Sequence, residues 1–340
     1  MNNIMSASFC IFAQLTCLQA NEAFAQNIDE QLAIAQQAQS RGEYQLAIEQ
    51  YQLLSDKGID IAQFSLGFLY ENGLGTPKSS SQACLYYQKA ALQKVPLALE
   101  KVGDCYLQGI LSTNRVDSND DAKPLAHAKT GLSPSQIVAL EFYLQANQSG
   151  IFSAACKAGE VLLQYGNEDE QMLAMRYCEE AVSKGSISAA YTMGTWFLQN
   201  PKIKTDLAKA QAYLEMAKPQ QEPAAAFALA QVYDVYSQYD DNSQNYAKLA
   251  LYWYETAASS GFSEAYLPTS LLYWKLSEQD NEADFLAKSY LWISAANAFD
   301  PSLREREDVK KYTLAVDSAV PEDWKSTLDT TVQQHLQQFH

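Results

Sequence analysis

The sequence is short of basic charge: 24 lysines and arginines stand against 40 aspartates and glutamates, a formal net charge of −16. That deficit argues against nucleic acid and anionic membrane surfaces as partners, because neither polyanion attracts such a chain. A basic partner remains compatible with it. Histidine is nearly absent. His127, His335 and His340 are the only three, too scattered for a catalytic zinc centre. No C-x-x-C occurs, so neither a zinc knuckle nor a thioredoxin-type redox pair is indicated. G-x-S-x-G, H-E-x-x-H, P-loop and dinucleotide fingerprints are all missing. Asp117-x-Asn119-x-Asp121 begins like a calcium loop, but Ala122 replaces the turn glycine and Ala128 the final glutamate. The sequence therefore calls for no metal and no cofactor. Beyond residue 25 no run approaches the roughly 20 apolar residues that a membrane span needs.

What is present is core material. The 340 residues are 47% apolar and include 21 tyrosines, which excludes disorder by composition. Residues 4–18 are mainly apolar, and Ala23-Phe24-Ala25 places small residues at −3 and −1 before Gln26. This pattern predicts a signal peptide over 1–25, cleaved after Ala25, and hence a periplasmic protein; a buried N-terminal helix is the alternative. Cys84, Cys105, Cys156 and Cys178 would remain, an even count suited to disulfides in an exported chain. Four cysteines allow three pairings, and four small buried hydrophobes are the bland alternative.

The strongest signal is a unit that returns. It reads Ala62-x3-Leu66-Gly67-x2-Tyr70-x2-Gly73, then Ala83-x2-Tyr86-Tyr87-x-Lys89-Ala90-Ala91. Copies begin at Ala62, Ala98, Ala154, Ala189, Ala225 and Ala265, and the long step after Ala98 contains an insertion. Each copy reads as two antiparallel helices, with alanine and glycine allowing close approach and aromatics filling the gaps. A lone pair cannot bury its faces, so the pairs must stack into an α-solenoid.

The pattern resembles the Sel1-like repeat (SLR) family of the tetratricopeptide-repeat superfamily, over about residues 60–300. The resemblance implies an all-α, right-handed α-solenoid of antiparallel helix pairs. The expected plan has a capping pair at 26–59, about six repeats over 60–299 and capping helices at 300–340. A polar insertion covers 111–136; a loop of that length is usually functional or disordered. Lys94 departs from the pattern by replacing the closing glycine, and Pro268 interrupts the sixth copy. Asp300-Pro301 and Val320-Pro321 read as helix starts. Placement within the copies predicts Cys84–Cys105 between neighbouring copies and Cys156–Cys178 within the third.

Some members of the family are linked to β-lactam binding or hydrolysis. Lys129-Thr130-Gly131 matches K-T-G, yet no S-x-x-K exists to supply a nucleophile and its lysine. The acidic clusters Glu168-Asp169-Glu170 and Asp240-Asp241 suit solvated turns. The expectation is a monomeric, non-enzymatic protein that recognises a protein or peptide. By analogy with tetratricopeptide register, positions two, six and nine after each first alanine face the concave side. These select Phe64, Phe68, Glu71, Glu100, Asp104, Glu160, Tyr191, Phe227, Gln231, Asp234 and Trp274, a mixture suited to a basic, partly apolar partner. Packing between units is the alternative for Phe64, Phe68 and Phe227. The roles expected are an envelope adaptor or, alternatively, a periplasmic immunity protein that neutralises a delivered toxin. A cell-wall-acting enzyme is the different-class alternative.

Overall fold

The computed structural model describes residues 26–112, 132–200, 205–219, 222–239, 243–280 and 283–339. The leader, the calcium-like run, His127, the K-T-G tripeptide and Asp240-Asp241 lie outside them. Among the described residues the structure is helical throughout, with no strand.

The chain forms two compact units, residues 1–180 and 181–340. Unit one holds α1 (residues 26–40), α2 (Tyr44–Asp56), α3 (Asp60–Asn72), α4 (Ser80–Leu92), α5 (Pro96–Leu107), α6 (Pro134–Gln148) and α7 (Ser153–Tyr165). The division falls near the end of α8 (Glu168–Ser183). Unit two holds α9 (Ile187–Gln199), α10 (Leu207–Met216), α11 (Pro223–Tyr239), α12 (Ser243–Ser259), α13 (Tyr266–Asp280), α14 (Ala283–Phe299), α15 (Glu307–Ala319) and α16 (Glu322–Phe339). The six copies correspond to the pairs α3/α4 through α13/α14.

Local signals set the helix ends. Ser79, Ser186 and Asp206 cap α4, α9 and α10 by accepting from the third N–H. Ser133 and Gln136 form a reciprocal capping box with Pro134 at the first helical position. The insertion therefore ends by Ser133, three residues earlier than its polar composition suggested. Gly73 ends α3 in the left-handed conformation, φ 69°, and Leu74 N–H donates to Leu69 O. Gly73-Leu74-Gly75 is a helix stop.

The repeat glycine has a packing cause. A Cβ on Gly67 would lie 2.5 Å from the Tyr87 ring, and one on Gly103 2.6 Å from Tyr143. Each first helix thus loses a side chain where the second helix inserts a tyrosine four residues after its alanine. In the third and fourth copies Cys178 and Leu214 take that slot, against Gly159 and Gly194. From the capping pair through the fifth copy, the residue closing the pair has positive φ whether or not it is glycine: Gly58, Gly150, Gly185 and Gly261, but also Lys94 (62°) and Lys218 (52°); after the sixth copy Asp300 is extended, φ −122°. The turn imposes the backbone, and two lysines accept the strain.

Both expected disulfides are present, Cys84–Cys105 joining α4 to α5 and Cys156–Cys178 joining α7 to α8. Each closes a loop of about twenty residues, for which the chain-entropy account gives roughly 3 kcal/mol. In unit one, α1 and α2 seal the opening copy through Ala35, Ala38, Ala47, Tyr51 and Leu54 against Leu66 and Leu69. In unit two, Val309 and Val316 of α15, Val320 at its end, and Trp324 and Leu328 of α16 pack with Tyr290 and Ile293 of α14.

One start signal and one interruption behave differently from the sequence reading. Asp300 accepts from Ser302 N–H, but it caps a 3-10 turn, Pro301–Glu305, and α15 begins afterwards at Glu307. A 3-10 turn, Ser263–Ala265, also precedes α13, which places Pro268 in the first turn where its missing N–H costs little. The sixth copy keeps its helix pair.

Candidate protein-binding face

The residues selected by register lie on first helices of the copies, on α3, α5 and α7 in unit one. Their carboxylates are clamped. Glu71 accepts from Tyr87 Oη at 2.6 Å and from Lys101 Nζ at 2.8 and 2.9 Å. One copy later, Asp104 accepts from Tyr143 Oη at 2.7 Å and from Lys157 Nζ at 3.0 Å through each oxygen. Lys157 also meets Glu100 at 2.7 Å. The tyrosines are the two slot residues that pack on Gly67 and Gly103. Each lysine stands three residues after the first alanine of the following copy. The lysines also approach the slot rings, at 5.8 Å to each centroid.

The electrostatics follow from this enclosure. Partial burial pushes the Glu71 carboxyl up, but hydrogen bonds from Lys101 and Tyr87 outweigh it and hold the group below its usual range. Burial pushes the Lys157 ammonium down, and Asp104 with Glu100 reverse this to a net rise. Burial raises both slot tyrosines, helped by their carboxylate acceptors, so each is an O–H donor at any physiological pH. The pairs are half-exposed, so each contributes at most about 1 kcal/mol; their main effect is to fix where the carboxylates sit.

These acids are therefore not an open, unpaired groove. Three of these carboxylates (Glu71, Glu100 and Asp104) are held by the two ammonium groups of Lys101 and Lys157, so the row is internally braced. Phe64 packs on Tyr87, ring centroids 5.4 Å apart. Phe68 is 39% exposed and Glu160 is exposed, so these two reach outward from the braced row.

Unit two treats its register positions differently. Phe227 is held between Tyr254 and Phe262, at 5.7 and 5.3 Å. Trp274 meets Tyr312 edge-on at 6.1 Å and belongs to the core under α15. Tyr191 is half-buried against Ala190, Ala217 and Ala225. Gln231 is half-buried, as is Asp234, whose carboxyl is raised by burial with only partial relief from Lys275 and Ser237. The aromatic positions of unit two are packing residues rather than an open surface.

Sequence reasoning missed the clamping residues Lys101, Lys157, Tyr87 and Tyr143. A signal existed: both lysines share one register position, one copy downstream of the acid that each holds. A similar cluster in unit two was also missed, where Lys288 meets Glu255 at 3.1 Å and donates to Tyr273 Oη at 3.1 Å.

Among the described residues, no three histidine, cysteine, aspartate or glutamate side chains group to hold a metal ion. No helix among them is long and apolar enough to cross a membrane. What the face offers is shape, one outward aromatic and fixed charge.

The Sel1 repeat model matches residues 60–95, 96–120, 187–218 and 223–262. The third and sixth copies fall outside these matches. Among solved structures, a Sel1 repeat protein from Oxalobacter formigenes is similar at 24% identity and TM-score 0.50, over 72% of this chain and 88% of that one. The SLR-fold protein c5321, a protective antigen of uropathogenic Escherichia coli, aligns at 15% identity and TM-score 0.45, over 87% of this chain and 65% of that one. Immunity protein Pa5087 from Pseudomonas aeruginosa aligns at 22% identity and TM-score 0.41, over 62% and 72%. No curated protein matches the chain.

Proposed function

For this chain of Sel1 repeats, we propose a non-enzymatic, exported scaffold that binds a protein partner in the bacterial cell envelope. The carrying observation is the arrangement in unit one, where Phe68 and Glu160 reach outward beside a row of carboxylates fixed by their own lysines and tyrosines. Such a surface is preorganised: its charges are already positioned before a partner arrives, which lowers the ordering cost of binding. The matching partner surface is a basic segment with an apolar residue for Phe68. The two disulfides support an oxidising compartment, and with the small-residue pattern before Gln26 they favour the periplasm. Within that class the chain serves as an adaptor.

A photo-crosslinker at position 68, installed in the full chain and irradiated in cells, tests this. One discrete protein adduct is expected, lost on Glu160→Lys, and absent when the crosslinker replaces Leu92, an exposed residue of α4. Equal adducts from both positions, or insensitivity to Glu160→Lys, would remove unit one's first-helix face as the binding surface. If the captured protein is a toxin, the immunity role replaces the adaptor.

A further inference from the structure

The clamp of unit one has three parts. They are an acid six or nine residues after the first alanine, a slot tyrosine, and a lysine three residues after the next copy's first alanine. The fourth copy drops all three together. Thr195 and Leu198 hold its acid positions, Leu214 its slot and Ala228 the lysine position. In the third copy Cys178 fills the slot and Thr192 the lysine position, and the acid Glu160 is exposed to water. The fifth copy breaks this pattern. It keeps the acid, Asp234, and the tyrosine, Tyr254, but Pro268 stands where Lys101 and Lys157 stand.

The frame around the missing lysine is intact. Phe227 packs on Tyr254 at 5.7 Å as Phe64 packs on Tyr87 at 5.4 Å. Ala265, like Ala98, is fully buried. Gln231 holds the position six residues after the first alanine, from which Asp104 reaches its lysine. Gln231 and Asp234 are both half-buried. Burial raises the Asp234 carboxyl, which Ser237 and the charge of the exposed Lys275 relieve only in part. Tyr254 feels the Asp234 charge, yet no hydrogen bond joins the two as one joins Tyr87 to Glu71. A half-buried acid held at a cost in stability marks a place for a ligand of opposite charge. In unit one that charge is an ammonium group, 5.8 Å from the centroid of each slot ring.

We propose that the fifth copy binds a primary ammonium group on an alkyl chain, supplied by a partner's lysine side chain or by a free diamine. Its N–H groups meet Asp234 and Gln231 Oε1, its charge lies against the Tyr254 ring, and its alkyl chain runs over Pro268. The site lies within unit two and stands apart from the unit-one face.

Calorimetric titration of the full chain with Nα-acetyl-lysine N-methylamide, and separately with cadaverine, tests the assignment. At least one should bind with a dissociation constant of about 1 mM or tighter. Whichever binds more tightly identifies the source as a side chain or a free amine. Acetylation of the amine removes the charge, and trimethylation keeps it but removes the N–H donors; each should weaken binding about tenfold. Asp234→Asn should cause a similar loss in a chain that circular dichroism shows to be folded. Lys275→Gln removes a like charge and should tighten binding about threefold. No heat from either amine at about 10 mM overturns the assignment. So does a folded Asp234→Asn chain that binds like the parent, equal binding of the acetylated amine, or weaker binding by Lys275→Gln.

Discussion

Glu71 in the first copy and Asp234 in the fifth occupy the same register position, nine residues after the first alanine. Each copy has a slot tyrosine, Tyr87 or Tyr254, and each packs a phenylalanine on that tyrosine, Phe64 or Phe227. The carboxylates nevertheless fare oppositely. Glu71 is held below its ordinary range, whereas Asp234 is pushed above it by burial. The difference lies one copy downstream. Three residues after the next first alanine stands Lys101 for Glu71, and Lys157 serves Asp104 in the same way. For Asp234 that position is Pro268. The cation left to Asp234 is Lys275, an exposed side chain that acts only at a distance. A clamp therefore needs residues from two copies, and losing the downstream lysine leaves the acid half-buried with only partial compensation.

The third copy gives the comparison a third state. Cys156 and Cys178 occupy the two positions filled by Phe64 and Tyr87 in copy one, and by Phe227 and Tyr254 in copy five. Aromatic packing there is exchanged for a covalent link. Breaking it should give the largest effect in this series. Cys156→Ala with Cys178→Ala is expected to destabilise unit one by about 3 kcal/mol. That corresponds to a loss of about 6–12 °C in melting temperature, read by calorimetry. Reductant, which also opens Cys84–Cys105, should lower the unit-one transition of the parent at least as far and leave the unit-two transition in place. A shared shift of both transitions would show that the bridge does not act locally.

The same cross-copy logic explains what was legible in the sequence. The helix pairs and both disulfides could be read because Ala62, Gly67, Tyr87 and the cysteines recur or fall at defined places within a copy. The fate of Glu71, Glu100 and Asp104 could not be read one copy at a time. Their acceptor positions suggested an open groove, while the groups that occupy them sit on the second helix and on the next copy. Lys94 looked like a departure from the pattern, yet its backbone takes the glycine conformation because the turn into α5 requires it. Asp300-Pro301 suits the start of either a 3-10 turn or an α-helix, since both need a capped first N–H and tolerate proline next. Packing of α15 decides between them. Trp274 was placed outward by register alone, and Tyr312 of that same helix covers it.

The two carboxylates offer a smaller test with opposite signs. Glu71→Gln removes a carboxylate whose folded-state pKa is depressed, so the stability it contributes is present above the ordinary glutamate value. That contribution is lost as pH falls through the folded pKa. At pH 7 the variant should therefore melt lower by up to about 1 kcal/mol, or about 2–4 °C, after allowance for solvent screening. The difference should close in acid, where both chains carry a neutral side chain.

Asp234→Asn is expected to run the other way. The folded-state carboxyl titrates above its unfolded value of 3.8, so the folded chain binds its proton more readily. Stability from this group is highest below that value and is lost as pH rises through the folded pKa. Replacing it with an uncharged isostere should raise the unit-two melting temperature at pH 7, by no more than about 0.5 kcal/mol given the exposure of the group. The gain should shrink as pH falls toward 3.8. Adding Pro268→Lys to the parent would supply the missing ammonium but also place a new N–H in the first turn of α13, so Asp234→Asn is the cleaner probe. A lower melting temperature for Asp234→Asn at pH 7 would mean that Lys275 holds this carboxylate as firmly as Lys101 holds Glu71, and the contrast between the two copies would fall.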